Sequence, residues 1–137
     1  RAERVPLCFM RRYAHCSTET RKIVKEEERC IRFLDDKGFV HQQEFLHGKG
    51  EACRVCRWDG ICAGMFSMAR TFDERELSPI FEDPLPVIRA VLGEEPSEAL
   101  LERIEARRGR RSPTEQPSAE DRETYRKLPL FRSAVRQ

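Results

Sequence analysis

Apolar positions along this chain come in short clusters between charged stretches, and their spacing predicts the elements. Val5-Pro6-Leu7-Cys8-Phe9-Met10 is an apolar opening segment with no helical period. Residues 17–29 are polar and helix-favouring, with Ser17 placed to cap the N-terminus and Ile23 and Val24 forming a thin apolar face. Ile31 and Phe33, then Phe39 and Val40, flank Asp35-Asp36-Lys37-Gly38, which predicts two short strands joined by a turn. Residues 41–52 are polar, contain Gly48 and Gly50, and read as a loop. The apolar run from Gly60 to Phe72 predicts a short, mostly buried helix. Leu77 to Pro86 holds Pro79, Pro84 and Pro86 and is expected to be extended or turning. Leu85 to Leu92 predicts a helix ended by Gly93. Pro96 to Arg108 predicts another, initiated by Pro96 and lined on one face by Leu100, Leu101 and Ile104. From Gly109 to Ala119, Pro, Ser, Thr, Gly and Glu dominate, which predicts a disordered linker. No internal repeat is present. The pattern predicts an α+β fold: a small cysteine-rich domain with a short β-hairpin, several helices and a flexible C-terminal tail. Its divisions are residues 1–95, a terminal helix over 96–108, and a charged, disordered tail over 109–137.

Composition sharpens this picture. The chain has 137 residues, 36% of them charged and 39% hydrophobic. A typical soluble domain has about 25% charged residues, so part of this chain is expected to be solvated surface or tail. No apolar run approaches the roughly 20 residues of a membrane-spanning helix, and no membrane partner is expected. No basic-then-apolar secretory segment opens the chain, and Arg1 stands at its start. The expectation is a cytoplasmic protein, read from a piece of a longer one.

The net charge of +2 hides an asymmetry. Residues 1–100 carry 16 basic and 18 acidic side chains, whereas residues 101–137 carry 10 and 6. The basic excess centres on Arg107-Arg108-Gly109-Arg110-Arg111, a run that could contact phosphates. No aromatic residue interleaves with it, so the stacking half of a single-strand binding signature is absent. A solvated tail is the expected reading, and nucleic acid is not the expected partner.

Six cysteines carry the chemistry: Cys8, Cys16, Cys30, Cys53, Cys56 and Cys62. An even number in a small secreted chain would suggest disulfides. Three of these, however, fall within ten residues as C-x2-C-x5-C, which favours metal-binding thiolates in a reducing compartment. Two thiolates separated by two residues can converge on one centre across a tight turn, and a third returns after one more turn. Arg54 and Arg57 are expected to lower the thiol pKa values, and Gly60 and Gly64 to let the backbone approach closely. A four-sulfur set, for zinc or an iron–sulfur cluster, needs one further ligand. Cys8, Cys16 and Cys30 are the candidates. Cys8 is favoured by its apolar Pro-Leu-Cys-Phe setting, while Cys16 and Cys30 read as plain buried thiols. His15, His41 and His47 read as surface histidines, Trp58 and Phe66 as cover for the cluster, and Asp35-Asp36 as a solvated turn. No phosphate-binding glycine loop or serine-nucleophile elbow is present.

Val5-Pro6-Leu7-Cys8, then Cys53-x2-Cys56-x5-Cys62-Ala63-Gly64-Met65, then Phe72 and Glu76-Leu77-Ser78-Pro79-Ile80, resembles the C-terminal region of radical S-adenosyl-L-methionine (radical SAM) proteins. There an accessory domain of the SPASM or twitch type follows the catalytic barrel and holds an auxiliary [4Fe–4S] cluster. The resemblance covers roughly residues 5–82. It departs from the family in two ways. The C-x3-C-x2-C triplet of the catalytic core is absent, and no cysteine follows Cys62, Phe66 standing where a full SPASM motif has one.

The resemblance therefore implies the reduced, single-cluster arrangement, with Cys8, Cys53, Cys56 and Cys62 as ligands and residues 1–95 as the cluster domain. It implies a non-catalytic accessory role in electron transfer or substrate positioning. The partner is then a radical SAM catalytic core, in the same parent chain or as a separate protein. The alternative is a structural zinc module that binds a protein or nucleic acid. A thiol-rich structural protein without metal is a third reading.

Overall fold

Ser17 starts the first regular element as its side chain dictates: its hydroxyl accepts from the Thr20 amide at 3.2 Å and caps helix α1, Thr18–Lys25. The structure, a computed structural model, describes residues 1–32, 39–42, 45–66 and 72–111. Ahead of α1 the opening segment forms two 3-10 turns, Leu7–Phe9 and Arg11–Cys16, which bury Leu7 and Ala14. After it, strands β1 (Arg29–Arg32) and β2 (Phe39–Gln42) pair antiparallel with Ile31 opposite Val40. The turn expected over residues 35–38 lies outside the described residues.

Two further helices follow where the sequence places them. Helix α2, Leu85–Leu92, ends at Gly93, whose φ of 75° and amide bond to Arg89 O close its C-terminus. Helix α3, Glu98–Arg107, is capped by the Ser97 hydroxyl, which accepts from the Leu100 amide at 3.2 Å; Pro96 stands just before the cap. The domain is small and mostly helical with little strand. Among the described residues, no helix is long and apolar enough to cross a membrane.

The helix expected from Gly60 to Phe72 is absent from the described part of that run. Residues 57–61 turn, and Met65 instead forms a bridge with Gly48, their amides and carbonyls bonding at 2.9 and 2.7 Å. Gly64 explains the departure: its φ of 93° is foreign to a helix, and a Cβ there would collide with the Gly48 carbonyl. Residues 67–71 of the expected helix, like the tail from residue 112, lie outside the described residues.

One core joins the opening turn to α3. Leu7, Val24, Cys56, Trp58, Ile61, Ile80, Ile88, Val91, Leu100 and Ile104 pack into a single buried cluster. The cysteine loop rests directly on α3, because a Cβ on Gly60 would strike the Ile104 carbonyl. A smaller cluster of Ile23, Phe45 and Ala63 lies apart from this core.

Candidate metal centre

Each cysteine of the proposed set is placed by a short turn anchored in the core. Cys8 sits in the 3-10 turn that buried Leu7 pins down. Cys53 lies in the 3-10 turn Glu51–Arg54, and the chain turns again so that the Cys56 amide bonds Cys53 O at 3.3 Å. Fully buried Ile61 then fixes the residue before Cys62. The result is a small, partly open cleft whose lining includes all four sulfur residues Cys8, Cys53, Cys56 and Cys62. Cys16 and Cys30 do not line it. Lining a common cleft is looser than converging on a point: among the described residues, no three His, Cys, Asp or Glu side chains form a set placed to hold a metal ion.

The segment after Glu76 closes one wall of the cleft. Leu77, Ser78 and Ile80 line it, and the backbone is tied to the cysteine loop in both directions. Arg57 donates its amide to Ile80 O at 2.7 Å, while the Ile80 amide points at Cys56 Sγ from 3.3 Å. Trp58, buried and also lining the cleft, donates Nε1 to Glu82 O at 3.0 Å. It thus forms part of the wall that Cys8, Cys53, Cys56 and Cys62 also line. Phe66 is placed elsewhere, edge-on to His47 at 5.5 Å and beneath the Arg4 guanidinium at 4.5 Å.

The thiols feel both burial and one another. Burial pushes the Cys8 thiol above its usual value, a backbone hydrogen bond from Ser78 opposes this, and the neighbouring Cys62 and Cys56 sulfurs add to the rise. Burial likewise raises Cys53, against the Gly50 amide at 3.5 Å and the charge of Lys49. Backbone amides aimed at sulfur are the donors that a thiolate ligand needs.

The cation beside these thiols is not one the sequence singled out. Arg54 is exposed and pairs with Glu51 at 3.3 Å; Arg57 is exposed and reaches Phe81 O at 3.5 Å. Neither lines the cleft. Lys49 does, with its side chain only 2% exposed. Its Nζ donates to Asp59 Oδ1 at 2.9 Å and to the carbonyls of Asp59 and Cys62 at 3.2 and 2.6 Å. A lysine between Gly48 and Gly50, and an aspartate between Trp58 and Gly60, were the available signals. Burial works against the Asp59 charge, but Lys49, the Gly109 amide and Arg111 outweigh it and hold the carboxyl below its usual value.

The basic run that begins at the last residue of α3 is exposed over residues 108–111, as a solvated face is expected to be, yet it is also tied to the cysteine loop. Arg107 donates to Gly60 O at 3.1 Å and Phe45 O at 3.2 Å. The Gly109 amide reaches Asp59 Oδ2 at 2.7 Å, and Arg111 reaches the same oxygen at 3.2 Å. This stretch is bound to the cysteine loop because buried carbonyls and a carboxylate there require donors. No protein-family model matches the chain, and no curated protein and no solved structure shows significant similarity to it.

Proposed function

We propose that this chain holds a [4Fe–4S] cluster through Cys8, Cys53, Cys56 and Cys62, as an accessory domain of a radical SAM-type enzyme. The observation that carries the reading is the single cleft those four residues share, the Cys8 wall being supplied from far upstream of the other three. What supports the reading is donor chemistry: four sulfur side chains along one cleft, backbone amides directed at Cys53 and Cys56, and a buried cation in the wall. When bound, the cluster supplies one-electron transfer or an open iron for substrate. The chain's own part is to hold the thiolates, exclude water with Trp58, Leu77 and Ile80, and compensate charge. The β1–β2 pair is read as the short hairpin of an α+β accessory domain. The C-x3-C-x2-C site that starts radical chemistry belongs to the partner core.

Zinc is the competing occupant. A zinc ion draws four sulfurs to about 2.3 Å from one point, whereas a cluster gives each thiolate its own iron and places its ligands around a volume. The metal content of the purified chain separates the two. Anaerobic purification with iron, sulfide and zinc analysis tests this. The expected product is brown, with about four irons and matching sulfide per chain. A colourless chain with one zinc overturns the cluster, and a Cys8→Ser variant with full iron content removes Cys8 from the ligand set.

A further inference from the structure

Lys49 is out of keeping with the rest of the cleft. An ammonium 2% exposed, in a cleft lined mostly by thiols and apolar groups with Asp59 and Ser78 among them, has given up its hydration and must be held by protein oxygens. Asp59, equally buried, does not simply cancel it. The same carboxylate also receives the Arg111 guanidinium at 3.2 Å and the Gly109 amide at 2.7 Å. Two cations therefore share one anion, and the group keeps a net positive charge beside Cys53 and Cys62. Apolar side chains would fill this wall without the desolvation cost. The excess charge has a natural counterpart in the negative charge that a thiolate-bound cluster would bring to the cleft.

Building on the cluster reading, we propose that Lys49, with Arg111 behind Asp59, sets how readily the centre accepts an electron. Each electron added increases the negative charge in a poorly solvated cleft, and a fixed cation in its wall offsets that increase. Lys49 and Arg111 then favour the reduced form, and Asp59 opposes it. None of the three is a ligand. They act on the centre through its field and by fixing the loop that carries Cys62.

The whole chain is loaded anaerobically with iron and sulfide and its metal content measured. Its potential is then read by dye-mediated titration, with dithionite as the electron donor. Lys49→Gln is expected to load and to become about tenfold harder to reduce at equilibrium, roughly 59 mV for a one-electron couple. Arg111→Gln shifts the same way by less, and Asp59→Asn shifts the opposite way. Opposite signs for a cation and its own ion-pair partner follow from charge and not from lost packing. Iron-loaded variants with coincident potentials, or with shifts of one sign, overturn the charge assignment and leave the cluster reading standing. A wild-type chain that takes up no iron and sulfide overturns both. Should Lys49→Gln fail to load, the Asp59→Asn and Arg111→Gln pair decides by the same signs.

Discussion

Burial raises the thiols of Cys8 and Cys53, and that has opposite consequences for the stability of the chain and for the metal uptake proposed above. In the unfolded chain these thiols titrate at about 8.5. Between that value and the higher folded values, the unfolded state binds fewer protons than the folded one. Their contribution to stability is therefore complete below the ordinary thiol range and is lost as pH rises through the raised values. The metal-free chain is expected to show a falling Tm in mild alkali, and Cys8→Ser to flatten that fall. Metal uptake runs the other way, because ligands must shed their protons. Calorimetry and iron loading across the same pH series check both slopes. At this scale what the sequence makes legible is a grouping: the C-x2-C-x5-C cysteines, and Cys8 by its apolar neighbours, line one cleft, while their part as ligands rests on the proposed function. Lys49 and Asp59 were not legible, because their pairing joins two loops and leaves no period in the chain.

Helix α1 supports the cysteine loop from beneath. Thr20 is fully buried, and its Oγ1 donates to Ile61 O at 2.7 Å, one residue before Cys62. Thr20→Val keeps the shape and leaves that carbonyl without its donor, at a cost of about 1–3 kcal/mol. The expected result is a lower denaturant midpoint with an unchanged m value, together with weaker iron loading. A variant that loses stability but loads fully would detach α1 from the site. The helices themselves were readable because their ends carry local signals: Ser17, Ser97 and Gly93 act within a few residues of where they stand. The run after Gly60 misled for the opposite reason. Its apolar side chains suit a helix, but Gly64 and the bridge to Gly48 commit the backbone to a different pairing. The bonds of Arg107 and Arg111 to the cysteine loop and its neighbours were not legible either, since only the folded chain brings the accepting oxygens to them.

For the molecule as a whole, the six cysteines separate into two groups. Cys8, Cys53, Cys56 and Cys62 face one cleft, while Cys30 is exposed and Cys16 stands outside it. Alkylation of the iron-loaded chain followed by mass spectrometry is expected to label Cys16 and Cys30 and to spare the other four. Removing the iron with a chelator is expected to open those four to the reagent. Labelling of Cys53 or Cys56 in the loaded chain would break the ligand set.

The cleft also has a place in the order of assembly. Its walls come from the opening turn, the cysteine loop and the proline-rich segment that follows Glu76, and the Ile80 amide meets Cys56 Sγ across 24 positions. Contacts so distant along the chain close large loops, and their entropy is lost before any of them is rewarded. Local turns and helices form ahead of them. The cleft is complete only once all three segments have docked, so under the proposed iron–sulfur reading capture of iron during refolding reports the arrival of the last wall. A half-folded chain offers the metal an unfinished set of sulfurs.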